Sequence, residues 1–333
     1  MEQSKVISLV FDLRCHTHTY MKLASGMFIS HESSGQLRSF TEYTIQPGVA
    51  TKVTKKFRPY DLRVLLCFLS ILLLFCPIYM RAQAPKLTGI AHVAFRVSDV
   101  NASREFYRKL GFKQAFAFNR QAKPSQAFIK INDTQFIELY AQTNSAQQIG
   151  LMHICFEAND LTGLYDAYRK RGLQPTPVKK AAAGNLLFTL QGPEGQTIEF
   201  TQYMPGSKHV EDRGKHLGIN RISRELIGVS FIMQNMKTAE AFYKDRLHFP
   251  AIEHGKSNSL ALPENSREGI ELESAGRSTQ PKIFFRVKDI EKTTEELKRR
   301  GISVQSQHGK VYVTGPDGTL IVFVTRFNLI GHP

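Results

Sequence analysis

The chain has no tryptophan and only four cysteines in 333 residues. Three of them, Cys15, Cys67 and Cys76, precede residue 85. Loss of that region would leave Cys155 alone, so no disulfide framework is expected, and no Cys-x-x-Cys pair exists to build a zinc ribbon. No apolar run reaches the roughly 20 residues that a spanning helix needs. Acidic residues are also in deficit, 29 against 44 Lys and Arg, for a net charge of +15. A basic surface attracts nucleic acid, anionic lipid or acidic ligands. Here the basic residues are spread along the chain, with short runs such as Lys298-Arg299-Arg300 near the end of a predicted helix, where cations suit the helix dipole. The reading is a solvated surface and no nucleic-acid partner.

What is present is core material. Hydrophobic residues make up 42% of the chain, with 23 Phe and 11 Tyr, enough for two domains of ordinary size. Residues 64–76, VLLCFLSILLLFC, form an apolar run of 13. Lys55, Lys56, Arg58 and Arg63 precede it, and Ala82-Gln83-Ala84 follows. A basic stretch, a short apolar stretch and an A-x-A end describe a secretory signal. The expectation is export, with periplasmic or extracellular residence, or a membrane anchor if the segment is not cleaved. Residues 1–84 are read as an N-terminal extension carrying a signal-like segment at 64–84, and residues 1–50 receive no assigned element.

The remainder repeats itself. GIAHVAFRVSDVNASREFYRKLGF (89–112) aligns with IGVSFIMQNMKTAEAFYKDRLHF (227–249), and LMHICFEANDLTGLYDAYRKRGLQP (151–175) aligns with PKIFFRVKDIEKTTEELKRRGISV (281–304). GPEGQTIEF (192–200) aligns with GPDGTLIVF (315–323). Each unit reads as a strand, then a helix with an Asp or Asn at its N-cap (Asp99 or Asn101, Asp160, Asn235, Asp289). Glycines 111, 172 and 301 sit where helices stop. Two or three strands with polar turns follow. The predicted fold is α+β: four βαβββ units in tandem, paired into two domains whose curved mixed sheets enclose a cleft. The first domain spans 87–205, a linker 206–224, and the second domain 225–327.

Side chains alternate across a strand, and the alternation singles out four residues. In the first strand Val93, Phe95 and Val97 share the apolar face, which puts His92, Ala94 and Arg96 opposite. By the same parity His153 lies opposite Met152, Ile154 and Phe156. Glu138 lies opposite Ile137 and Leu139, together with Tyr140. Glu199 lies opposite Ile198 and Phe200, together with Tyr203. Two imidazoles and two carboxylates therefore face one cleft. Buried carboxylates repel unless one keeps its proton, and a divalent cation removes that cost. Mixed His and carboxylate donors suit zinc, nickel, manganese, cobalt or iron. The expected ligands are His92, Glu138, His153 and Glu199; Arg96, Tyr140 and Tyr203 are candidates to hold substrate. In the second domain the counterparts of His92, His153 and Glu199 are Gly228, Lys282 and Val322, and Glu271 alone keeps the counterpart of Glu138. No metal is expected there.

IAHVAFRV with SREFYRKLGF, FIELY, LMHICF with YRKRG, and GPEGQTIEF together resemble the vicinal oxygen chelate superfamily, which includes glyoxalase I, bleomycin-binding proteins and extradiol dioxygenases. The resemblance covers residues 87–327. It implies metal ligands at the same four positions, and the His/Glu/His/Glu set looks most like bacterial glyoxalase I. It implies chemistry in which a metal binds two adjacent oxygens of a small molecule and stabilises an oxyanion, with Glu199 or Glu138 as the catalytic base. The expected function is that of a metal-dependent lyase or isomerase of the glyoxalase-like class, acting as monomer or homodimer. The alternatives are a non-catalytic binding or resistance protein, or an extradiol-type dioxygenase; in the last group the metal lies in the second pair of units.

Overall fold

The computed structural model describes residues 85–121, 123–252, 258–276 and 280–326, with backbone alone at residue 123. It also describes the backbone of four strands within residues 20–56. The signal-like segment at 64–84 and Cys15, Cys67 and Cys76 lie outside these residues. No helix among the described residues is long and apolar enough to cross a membrane.

Residues 1–82 and 83–333 form separate compact units. In the first, β1 (Tyr20–Leu23), β2 (Met27–Ser30), β3 (Ser39–Gln46) and β4 (Val49–Lys56) pair in sequence order. Sequence reading assigned nothing to 1–50. The missed signal is local: β3 and β4, SFTEYTIQ and VATKVTKK, are rich in β-branched residues and pair antiparallel, from Ser39 with Lys56 to Gln46 with Val49.

In the second unit, an eight-stranded sheet is built from β5 (Leu87–Val97), β6 (Lys113–Arg120), β7 (Lys123–Lys130), β8 (Phe136–Ala141), β9 (Gly150–Ala158), β10 (Lys179–Lys180), β11 (Leu186–Gln191) and β12 (Thr197–Gln202). Helices α1 (Val100–Lys109) and α2 (Leu161–Lys170) follow β5 and β9. The strand order β10-β11-β12-β9-β5-β8-β7-β6 makes two βαβββ units that meet where β5 pairs antiparallel with β9. Within each unit the first and last strands are parallel neighbours. A short helix α3 (Lys208–Glu211) follows.

The seven-stranded sheet comprises β13 (Glu225–Met233), β14 (Ser259–Leu262), β15 (Asn265–Ser274), β16 (Lys282–Arg286), β17 (Gln305–Gln307), β18 (Lys310–Thr314) and β19 (Leu320–Val324). Helices α4 (Met236–Glu240) and α5 (Ile290–Arg299) belong to its two units. Both sheets are mixed and curved, and neither closes into a barrel.

Local sequence explains the helix ends. Asp99 accepts hydrogen bonds from the backbone N–H of Asn101 and Ala102, so it rather than Asn101 is the first cap. Asp160, Asn235 and Asp289 cap the other three long helical segments in the same way. α4 continues into a π-helical turn, Ala241–Arg246. The cause is one extra residue: FYRKLGF in the first unit becomes FYKDRLHF in the third, and a π turn absorbs an insertion without breaking the helix. His248, at φ 62°, then holds the left-handed position that Gly111, at φ 84°, holds in the first copy.

One continuous apolar core takes in a face of both sheets. Val93, Phe95, Ile137, Ile154 and Phe200 contribute from the first, and Val229, Leu272, Phe285 and Phe323 from the second. Phe112 meets Phe285 and Phe156 meets Phe249 across the junction, with ring centroids 5.6 and 5.4 Å apart. Burying each such ring is worth about 1.5–3 kcal/mol. This apolar face leaves the opposite face of the first sheet for polar side chains.

Candidate metal centre

The site residues stand on the four central strands of the first sheet, two from each unit. Register places Glu199 beside Cys155, Cys155 beside His92, and His92 beside Phe136 in one row across β12-β9-β5-β8. The next row holds Thr197, His153, Ala94 and Glu138. All project from the face opposite the apolar core, as the period of two requires.

Three donors converge. The Nε2 atoms of His92 and His153 are 3.1 Å apart. His92 Nε2 lies 3.6 Å from Glu199 Oε1, and His153 Nε2 lies 3.8 Å from Glu199 Oε2. One ligand atom from each residue falls within 4.8 Å of the others. Glu138 stands outside this trio. Its Oε1 is 3.3 Å from the other ring nitrogen of His92, Nδ1, which makes no hydrogen bond. Tyr140 donates its hydroxyl to Glu138 Oε2 at 2.7 Å.

Burial sets the protonation states. It lowers the pKa of His153 to about 4 and holds His92 well below its ordinary value, assisted by the neighbouring His153 and His209. Both imidazoles are therefore neutral at pH 7, the form that ligates metals. Burial raises Glu199 to about 7. It raises Glu138 to about 8, with the charge of Glu199 adding to the effect.

These residues fit a divalent cation. Two neutral imidazoles aim their Nε2 atoms at one point, a third donor is a buried carboxylate, and Glu138 stands where a carboxylate can orient His92 from behind. Nitrogen and oxygen donors in this ratio suit manganese, iron, cobalt, nickel or zinc.

The substrate candidates are placed differently from one another. Tyr140 is in contact with the site through Glu138. Arg96 sits at the strand end beside Tyr140 and donates to the carbonyl of Gln148 at 3.2 Å. Tyr203 is buried in the cleft floor, with its hydroxyl 3.5 Å from the carbonyl of Ala91.

Two residues of the site escaped sequence reading. Cys155 is fully buried and donates to Glu199 Oε1 at 3.4 Å. Burial, followed by the charges of Glu199 and Glu138, pushes its thiol up, so it stays protonated. Strand parity with His153 could have found it. His209 could not have been found that way. It belongs to α3, in the segment read as a linker, and its ring stacks on Tyr203 at 4.6 Å and meets Phe136 edge-on at 4.8 Å. It is 2% exposed, neither ring nitrogen has a hydrogen-bond partner, and Nε2 is 3.9 Å from Glu138 Oε1. The start of this segment is thus a strap laid against the site's face of the first sheet. Buried Lys130 of β7 secures it by donating to Asp212 Oδ2 at 2.8 Å and to the Asp212 carbonyl.

Residues 89–200 match the family model for the Glyoxalase/Bleomycin resistance protein/Dioxygenase superfamily. They form a domain of that superfamily. The metal-candidate trio and Glu138 all lie within the matched superfamily domain. No match was found among curated proteins. Among solved structures, the Mn(II)-bound glyoxalase from Novosphingobium aromaticivorans is 17% identical, with a TM-score of 0.56 over 74% of this chain and 84% of that one. A catechol 2,3-dioxygenase is 16% identical, with a TM-score of 0.57 over 74% of this chain and 95% of that one. An extradiol ring-cleaving dioxygenase from B. fuscum is 15% identical, with a TM-score of 0.54 over 75% of each chain. At these identities the likeness is one of fold, and it extends to both superfamily-type domains.

The second sheet presents other chemistry at the equivalent places. Register puts Gly228, Lys282 and Val322 where the first sheet has His92, His153 and Glu199. Lys282 makes an ion pair with Glu273, so a basic side chain stands at the position where the first sheet has the candidate ligand His153.

Proposed function

We propose that the first superfamily domain is a metal-dependent catalyst of proton transfer, of the lyase or isomerase type, acting on a small molecule with two adjacent oxygens. The observation that carries this reading is the separation of roles among buried carboxylates: Glu199 joins the two imidazoles, and Glu138 stays outside them beside Tyr140. His92, His153 and Glu199 would hold the cation. When bound, it supplies Lewis-acid polarisation to substrate oxygens. Glu138, with a pKa of about 8, is suited to accept a proton from carbon near neutral pH and return it to a neighbouring atom. Tyr140 orients that carboxylate, and the apolar surround excludes competing water. Glu138 is thus favoured over Glu199 as the base.

The test uses the full-length protein. Metal content is measured for the wild type and for His92→Ala, Glu199→Ala and Glu138→Gln, alongside turnover of α-ketoaldehydes, acyl thioesters and catechols with defined metals. The first two variants should lose metal. Glu138→Gln should keep metal and lose turnover by about 10²–10⁴-fold. Equal metal in all four proteins sinks the site, and full turnover by Glu138→Gln sinks the assigned base.

A second reading, ring cleavage with oxygen, is favoured by the three-donor His-His-Glu set and by the similarity to catechol 2,3-dioxygenase. Oxygen uptake with catechols selects it. Saturable ligand binding without any turnover selects a binding protein instead. Export is part of the proposal, carried by residues 64–84, and the mature N-terminus of the protein recovered from producing cells checks it.

A further inference from the structure

The positive charge that is spread along the sequence is concentrated in space. A groove of about 600 Å3 runs between the chain entering β13 (residues 220–225) and α5 with the end of β16. Seven Arg and Lys side chains line it against three carboxylates, a local balance of 7 − 3 = +4. Each carboxylate already has a partner: Glu225 pairs with Arg286, Asp289 with Lys292, and Glu296 with both Arg299 and Arg300. That leaves Arg221, Arg224 and Lys288 with no ion pair among the described residues. Arg221 donates from Nη1 to the Gly218 carbonyl, yet its buried Nε has no hydrogen-bond partner.

A second hollow of about 570 Å3 shares Asn220, Arg299 and Arg300 with the first and adds Arg108, Lys109 and Lys113 from the end of α1 and the start of β6. The ends of α1 and α5 are tied together here by Arg300, which donates to the carbonyls of Lys109 and Asn220. Crowding like charges in one groove is unfavourable unless something anionic relieves it. Burial and the neighbouring charge of Arg224 both hold Arg221 below the usual arginine pKa. The guanidinium forks of Arg221 and Arg224 suit phosphate oxygens, and the volume is that of a small-molecule site rather than a flat contact.

We propose that this groove binds a soluble small molecule carrying two or more linked phosphate groups, at a site separate from the metal centre. The site depends on the second superfamily-type domain, because β16 and α5 form one wall. It is independent of the reaction performed at the first.

The probe is inorganic tripolyphosphate, titrated calorimetrically into the full-length protein at low salt. The expected result is saturable 1:1 binding that weakens as salt is raised. The double variant Arg224→Ala/Lys288→Ala should bind at least about tenfold more weakly. Lys170→Ala/Lys237→Ala, which removes the same charge from exposed helix positions outside both hollows, should bind as the wild type does. Equal weakening in the two double variants would mean that net charge alone attracts the anion, and overturns the site. So does the absence of saturable binding, or binding confined to vesicles of phosphatidylglycerol. Metal content should be the same in all three proteins, which separates this outcome from any failure of the metal centre.

Discussion

At the scale of single residues, the centre is governed by desolvation. His92 and Glu138 are nearly excluded from water, at 2% and 4% exposure. That exclusion keeps the imidazoles neutral and makes the carboxylates reluctant to ionise. Metal binding at the proposed site would then displace a proton from Glu199, whose pKa is about 7. Affinity for Mn(II) should fall about tenfold for each pH unit below that value and level off above it; titrations between pH 5.5 and 8.5 check the slope. A flat profile would show that Glu199 is not a ligand. Strand parity placed His92, Glu138, His153 and Glu199 on one face, because alternation is a local property of extended backbone. Parity could not separate Glu138 from the trio. That separation depends on side-chain rotamers, since Glu138 stands two residues along from the row of His92 just as Glu199 stands two along from the row of His153.

At the scale of elements, the strap at 206–224 shows how a polar segment becomes part of a site. Its composition reads as a linker, and charged residues at a boundary usually are. Here Asp212 is 6% exposed and paired with Lys130, which is fully buried. Lys130 also pairs with Asp133 at 2.8 Å, so loss of Asp212 leaves the buried lysine with one of its two carboxylates, at a cost of about 1–3 kcal/mol. Asp212→Ala should lower stability by that order in denaturant unfolding, and it should release His209 from its place on Tyr203. Two glycines let the strap's far end approach α1. A Cβ on Gly218 would lie 1.9 Å from the Gly111 carbonyl oxygen, and one on Gly111 would lie 2.4 Å from that of Asn220. Gly218→Ala must move backbone and should destabilise by about 1–3 kcal/mol, whereas Ala at Gly206, with open space around its Cβ position, meets only the strain of its positive φ. Thermal melts of the two variants compare the effects.

At the scale of the whole molecule, the two sheets are joined by polar as well as apolar contacts. Glu268 of β15 accepts from the Ile90 backbone N–H at 2.5 Å and lies 3.4 Å from Gln135 Nε2. Burial raises its pKa from 4.5 to about 7. The folded protein therefore holds this proton to higher pH than the unfolded chain does. Stability from this group is retained below about 4.5 and declines as pH rises through about 7, because the unfolded state ionises first. Glu268→Gln should flatten the loss of stability between pH 5 and 8, as read from melting temperature against pH. An unchanged slope would assign it to other groups.

The sequence by itself determined the repeated strand-helix-strand units, the caps and stops of their helices, the α+β class and the residues sharing a face with His92. Each follows from spacing along a few neighbouring residues, and local backbone geometry converts such spacing directly into structure. Tertiary structure alone decided which three donors converge, that His209 packs beside them from a polar linker, and that basic residues from 108–113, 218–225 and 286–300 line two adjoining hollows. Those outcomes depend on which strands become neighbours and in what register. Pairing between distant segments is chosen by burial of the whole core, and no short window of sequence contains it.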